Sequence, residues 1–256
     1  MKQLHSILIL AKLNSSEWLR LKFFHIIIFF GLLFIAFSHL LSSLTFSVQE
    51  RLLYDFGLAG LELGLISISS LIGSHSIQRE IDRKTLFVLL SRPIPRSNVV
   101  LGFWLSIVIL CFLFSSGFLF SLIFSSGKSN YIFSLALATY STFLKAMVVS
   151  SFAIACGLLV RPILALVATL SYWILCYSIP DIEFFVSKLK NETFLRILNK
   201  IELFLPEFYR YNWKSYYYML NTPSNSEIWW ATFHSFAWVS VWLFLASLFF
   251  RKKEIV

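Results

Sequence analysis

Two charged side chains, Glu62 and Lys145, lie inside long runs of apolar residues. On insertion scales an unpaired charge near the centre of a bilayer costs about 2.5–3.5 kcal/mol, so such a residue is expected to be paired or to serve a pathway. Both are expected to face the interior of a helix bundle, either pairing with each other or lining a substrate path. Their depths argue against a direct pair, because Glu62 falls only about 8 Å from the outer end of its expected helix at 1.5 Å per residue. A lysine on a tilted helix can also snorkel to the interface. These readings stay open on the sequence alone.

Other chemistry is poorly supported. Cys111, Cys156 and Cys176 are odd in number and sit in apolar runs, which suits small packing residues better than a disulfide framework or a zinc site. His5, His25, His39, His75 and His234 have no i,i+3 or i,i+4 histidine partners, so no metal site is expected. Ser126-Gly127-Lys128-Ser129 ends like a phosphate-binding loop, but Leu122 stands where the first glycine is required. Gly60-x-x-x-Gly64, with Ser67, reads as a face for close helix packing. No arrangement of serine, histidine and acid suggests an intramembrane hydrolase, and no catalytic residue is expected.

The elements around these residues follow from composition. Of the 256 residues 58% are hydrophobic and 14% charged, where soluble proteins have about 45–50% and about 25%. A water-soluble globule could not hide that much apolar side chain, so soluble enzymes, disordered chains and disulfide-rich secreted scaffolds are excluded together. Six stretches are long enough to cross a bilayer as helices: Phe23–Leu44, Gly57–Ile77, Val99–Phe124, Tyr131–Val160, Pro162–Ile179 and Trp229–Phe250. Ile26-Ile27-Ile28-Phe29-Phe30 does not alternate as a barrel strand would. Arg161-Pro162 reads as a tight turn between two helices, since proline is well tolerated at the first helical position. The fold class is therefore an all-α integral membrane protein filling residues 1–256 as one transmembrane domain. No cleavable signal is expected. Residues 4–22 read as an amphipathic helix lying in the interface.

The chain carries a net charge of +9. With six spans, both termini fall on one side, and that side holds Lys2, Lys12, Arg20, Lys22, Arg79, Arg83, Lys84, Arg92, Arg96, Arg161, Arg251, Lys252 and Lys253 against Glu17, Glu80, Asp82 and Glu254. The opposite side sums to zero. The positive-inside rule assigns the basic side, and both termini, to the cytoplasm of a cell inner membrane. The basic balance reflects topology and gives no support to nucleic-acid binding.

Two segments are not simple spans. In the loop 78–98, if it is helical, Ile77, Ile81 and Val88 share a face, Leu86 and Leu90 another, and Glu80 meets Lys84 at i,i+4. Pro93 and Pro95 end that helix. A short, stiff, charged-and-apolar helix at the membrane surface is shaped to be gripped by a partner's groove; an ordinary basic loop that only fixes topology is the alternative. In the segment 181–226, Ile182, Phe185, Val186 and Leu189, then Phe194, Ile197, Leu198 and Ile201, recur at helical spacing, predicting two external amphipathic helices too short to span. Tyr209, Tyr211, Trp213, Tyr216, Tyr217, Tyr218, Trp229 and Trp230 follow, an aromatic belt suited to the headgroup level.

Glu80-Ile-Asp-Arg-Lys-Thr-Leu, Leu89-Leu90-Ser91-Arg92-Pro93, Arg96 and Leu101-Gly102 resemble the cytoplasmic loop of type-2 ABC transporter permeases, nearest the branch that includes the nitrous-oxide-reductase maturation permease. Phe103 departs from the lysine common in the family. The resemblance extends to the N-terminal amphipathic helix, the spans, and Leu205-Pro206-Glu207-Phe208 with Asn212. It implies a coupling helix between spans 2 and 3, with Arg79, Glu80, Asp82, Arg83, Thr85, Leu86, Leu90, Arg92, Pro93 and Arg96 engaging a separate ABC ATPase subunit. It also implies a re-entrant hairpin between spans 5 and 6, placing Pro206, Glu207, Phe208 and Asn212 at an external gate or partner surface. ATP and Mg would be bound by the ATPase and no cofactor by this chain, and a second permease copy would complete a homodimer among membrane lipids. The expected function is a permease, in the exporting direction, of an ATP-driven transporter. The rival is a non-transporting scaffold that relays the ATPase cycle to an extracytoplasmic protein.

Overall fold

The computed structural model describes residues 2–20, 25, 28–29, 31–37, 40, 49–84, 95–126, 132–188, 196, 198, 200, 202, 205–214 and 222–252. These form α1 (Lys2–Leu19), α2 (Gln49–Asp82), α3 (Arg96–Ser126), α4 (Ile132–Leu159), α5 (Pro162–Lys188), a 3₁₀ turn η1 (Phe208–Tyr211) and α6 (Asn225–Lys252). Among the described residues five helices, α2 to α6, are long and apolar enough to cross a membrane. Part of the first expected span, Phe23–Leu44, lies outside the described residues; its stretch 31–37 is helical.

α4 is the axis of the bundle and packs against α2, α3, α5 and α6. Small and hydroxylated residues make this possible. Ser141, Thr142, Ser150 and Ser151 are buried, and each donates its hydroxyl to a carbonyl three or four residues back, so none leaves an unpaired group in an apolar core. Along α2, Gly73 lies so near α4 that an added Cβ would fall 2.5 Å from Ala153 Cβ. A Cβ on Gly157 would fall 2.6 Å from the Ser74 carbonyl oxygen. The tightest α2–α4 contact thus lies a full turn and more beyond the expected Gly60/Gly64 face. Those two glycines instead admit the rings of Phe34 and Phe114.

Three boundaries differ from the sequence reading. α2 begins at Gln49, eight residues before the expected Gly57, because Tyr54 and Leu53 are buried and extend its packed face past the charged pair Arg51 and Asp55. α5 does not stop at Ile179 but continues through Pro180 to Lys188. A membrane helix can tolerate proline where neighbouring groups satisfy the freed carbonyl. The first external amphipathic helix is therefore the end of α5, and of its apolar residues Val186 is buried while Phe184 and Phe185 are exposed. The second, expected over 194–205, lies mostly outside the described residues. Finally, α6 starts at Asn225 through a reciprocal cap: the Ser224 amide donates to Glu227 Oε2 at 2.9 Å, and the Glu227 amide donates to Ser224 Oγ at 3.3 Å. The turn at Arg161-Pro162 joins α4 to α5 as expected.

α1 packs along α3. Ala11, Ser15 and Trp18 are its buried side, while Leu8, Ile9 and Leu13 are exposed. Leu10 fits where Gly102 has no side chain, and Asn14 Nδ2 donates to Ser106 Oγ at 2.8 Å.

Candidate functional site

At one end of the bundle the two strands of chain that lead into and out of the 78–98 loop are each tied down. On the way in, Arg79 and Arg83, one turn apart on α2 and its C-terminal turn, both donate to Glu17 Oε1 of α1, Arg83 at 2.8 Å. The Arg79 guanidinium also lies 4.9 Å from the centre of the Trp18 ring. Asp82 accepts from Gln78 Nε2 at 3.0 Å. The helix then ends: the Lys84 amide donates to the Ile81 carbonyl at 3.0 Å and Lys84 itself has φ 58°, a left-handed conformation that commonly terminates helices. This corrects the expected Glu80–Lys84 pair, because Lys84 has left the helix on which the two would have faced each other. On the way out, Arg96 Nη1 donates to the carbonyls of Phe250 and Arg251 at 2.9 and 3.1 Å. It thereby caps the end of α6, where carbonyl groups lack intrahelical partners and a cation is favoured.

Glu80 lines a cavity of about 250 Å³ with Leu10, Leu13, Asn14, Glu17 and Phe103. Phe103, where the resembling family has lysine, is buried against α1 as part of the core. Of the loop residues named from the sequence, Arg79, Glu80, Asp82, Arg83 and Arg96 are therefore placed around two clamps. Thr85, Leu86, Leu90, Arg92 and Pro93 lie outside the described residues.

In the opposite half of the bundle Lys145 Nζ donates to Glu62 Oε1 at 3.0 Å, and Lys145 is fully buried. The two depths match after all, because α2 starts at Gln49 and not at Gly57. Gln49 is thirteen residues before Glu62, and Ile132 is thirteen residues before Lys145, on two helices that run the same way. A third residue joins them. Lys214, just after η1, donates to Glu62 Oε2, so one carboxylate holds two ammonium groups. Tyr177 of α5 covers Lys145 with its ring, 5.4 Å from Nζ, and its hydroxyl accepts from Asn212 Nδ2 at 3.0 Å. The segment 205–214 is thus drawn onto the bundle by polar contacts at Asn212 and Lys214 and by Phe208, Tyr211 and Trp213, all buried. Glu207 pairs with Arg210 at 2.5 Å, and burial pushes the Tyr211 hydroxyl above its ordinary pKa.

Sequence reasoning missed Lys214 and His234. Lys214 counts as one more external cation until η1 folds it inward. His234 belongs to an i,i+4 ladder, Trp230, His234, Trp238 and Trp242, legible in the spacing. Trp238 Nε1 donates to His234 Nε2 at 3.1 Å, His234 Nδ1 meets the Tyr211 hydroxyl, and Trp242 Nε1 donates to the Tyr172 hydroxyl at 3.1 Å. Among the described residues no group of three or more His, Cys, Asp or Glu comes together to hold a metal.

No curated protein matches this chain. Residues 63–255 match the sequence profile described as ABC-2 family transporter protein, a match that singles out no branch within the family. With well over half of its length matched, and with several helices able to cross a bilayer, the chain belongs to the ABC-2 family of transporter membrane proteins.

Proposed function

We propose that this chain is the membrane-spanning subunit of an ATP-driven exporter, coupled through residues 78–98 to a separate ABC ATPase. The observation that carries the reading is the double clamp at the loop's ends. Glu17 fixes the incoming helix to α1, and Arg96 fixes the outgoing helix to α6. A push on the loop therefore moves α1, α2, α3 and the end of α6 together, which suits rigid-body rocking. The family supplies the association with an ATPase. ATP can shift such a balance only by favouring one arrangement of the ATPase pair over another. The positive-inside rule puts the clamped end, with Arg79, Arg83, Arg96, Arg161 and Arg251, in the cytoplasm, with both termini. Two copies of the chain and two ATPases would form the working unit in the cell inner membrane, with ATP and Mg held by the ATPases.

In this reading Arg79, Glu80, Asp82, Arg83 and Arg92 transmit the stroke, with Thr85, Leu86, Leu90 and Pro93 shaping the segment the ATPase grips. Pro206, Glu207, Phe208 and Asn212 belong to an external gate that Glu62 and Lys145 anchor from below. The test is Glu80→Ala. The variant is expected to fold and insert but to lose stimulation of the ATPase. Normal transport together with normal co-purification of the ATPase refutes the coupling role.

A second reading, a scaffold that relays the ATPase cycle to an extracytoplasmic protein, is favoured by the resemblance of the loop to the maturation branch and by the ordered, buried packing of 205–214. Deleting or masking 181–226 abolishes partner binding in that case. An exporter instead shows substrate-stimulated ATP hydrolysis in liposomes without any partner.

A further inference from the structure

Between α2 and α5 lies an open cleft of about 320 Å³ lined by Ala59, Glu62, Leu63, Trp173, Tyr177 and Lys214, with Ile174 at its mouth. Its rim is apolar and turned outward: Leu63 and Ile174 are 45% and 54% exposed, on helices that cross the bilayer. Its inner end is polar. Lys214, partly exposed, meets Glu62, whose carboxylate already holds Lys145. One buried carboxylate against two ammonium groups leaves one positive charge in excess, with Lys214 as the one that reaches the cleft. The neighbouring acids do not cancel it. Asp55, the next acid along α2, feels Lys214 but is paired with Arg51 at 3.9 Å, and Asp181, one turn beyond Tyr177, is exposed to solvent.

A hydroxyl donor lines the same place. The Tyr177 hydroxyl accepts from Asn212 and so keeps its own proton to give. A cation and a phenol at the closed end, with aliphatic side chains at the mouth, match a ligand with an anionic oxygen head and a hydrocarbon tail.

We infer that the cleft between α2 and α5 binds the phosphate or carboxylate head of an anionic amphiphile on Lys214 and Tyr177, with its tail leaving between Leu63 and Ile174 into the bilayer. This names a ligand class for the proposed transporter. It rests on that reading only for the ligand's being cargo, since the binding itself needs neither ATP nor the ATPase.

The experiment is native mass spectrometry of the full-length chain in a neutral detergent, titrated with dioleoyl phosphatidic acid, with dioleoylglycerol as the tail without the charge and inorganic phosphate as the charge without the tail. Phosphatidic acid is expected to be retained and dioleoylglycerol not, and inorganic phosphate is expected not to compete at equal concentration. Lys214→Gln should weaken retention at least tenfold, Lys214→Arg less than threefold. Ile174→Trp fills the cleft from the lipid side without touching a charge; it should abolish retention while the melting temperature holds, and it decides the question if Lys214→Gln does not fold. Equal retention of dioleoylglycerol, displacement by inorganic phosphate alone, or unchanged binding in Ile174→Trp overturns the inference. Failure here leaves the coupling loop untouched, whereas an uncoupled Glu80→Ala says nothing against the cleft.

Discussion

Glu62 and Lys145 stand at the same depth on two helices that run in the same direction, thirteen residues in from Gln49 and from Ile132, and they meet at 3.0 Å with the lysine fully buried. A buried ion pair is weak support for stability in itself, because desolvating both charges offsets most of their attraction. What it supplies is registry. It fixes α2 against α4 and, through Lys214, fixes the 205–214 segment against both.

Removing one partner should therefore be far worse than removing both. Lys145→Met leaves Glu62 buried with only Lys214, and Glu62→Leu leaves Lys145 with no acid. Glu62→Leu, which strands a buried ammonium, is expected to cost about 3–5 kcal/mol, and Lys145→Met less because Lys214 still faces the carboxylate. The double variant should recover a large part of that loss, with Lys214 released to water. Thermal unfolding in detergent of the two singles and the double checks this; strictly additive losses would show that the pair is not a unit.

Gly157 lies where a Cβ would come 2.6 Å from the Ser74 carbonyl, whereas Gly117 has nothing within 4 Å. Gly157→Ala is expected to destabilise the α2–α4 contact by about 1–3 kcal/mol, since backbone cannot yield as a flexible side chain can. Gly117→Ala should be neutral or stabilising by about 0.4–1 kcal/mol. Melting temperatures of the two variants, measured side by side, distinguish them.

The Glu17 clamp is different in kind. Glu17 and Arg83 are 41% and 52% exposed at their side chains, and ion pairs of that sort contribute only about 0.2–1 kcal/mol. Glu17→Arg should therefore leave the fold intact but loosen α1 on α3. A disulfide between Asn14→Cys and Ser106→Cys, whose parent side chains meet at 2.8 Å, should form nearly completely in the parent and several-fold more slowly with Glu17→Arg. Equal rates would mean that α1 is held by its apolar side alone.

Arg96 caps the last carbonyls of α6. Arg96→Ala should fray that end and cost about 1–2 kcal/mol, and Arg96→Lys should recover part of the loss, since one ammonium cannot reproduce the planar fork. Hydrogen exchange at residues 248–252 is the readout, with faster exchange expected in Arg96→Ala.

Much of this architecture was legible in the chain, and what was not has definite causes. Apolar runs identify α3, α4 and α6 because nothing competes with hydropathy there, and Arg161-Pro162 marks its turn because proline suits a first helical position. The start of α2 was hidden because Gln49, Glu50, Arg51 and Asp55 read as a polar loop, while their helix is held by buried Leu53 and Tyr54. That one boundary misplaced Glu62 in depth and obscured its partner. The apolar run of α5 ends at Ile179, but the helix carries Pro180 and continues to Lys188, since helices in a bundle can carry proline. Lys214 could not be found by span counting at all, since only the folding of η1 against Tyr172 and Tyr177 brings it inward. The S-x-x-E cap at Ser224 and Glu227 was readable and places the start of α6 four residues earlier than hydropathy does.

The most direct test of the central claim is site-specific cross-linking in native membranes, with a photoreactive residue at position 80 and, separately, at position 207, in a tagged full-length chain. An ABC ATPase is expected to be captured from position 80, with capture lost when ATPase and chain are separated by detergent, and no ATPase from position 207. Capture of the ATPase from position 207, or ATP-independent transport by the chain purified without any ATPase, would contradict it.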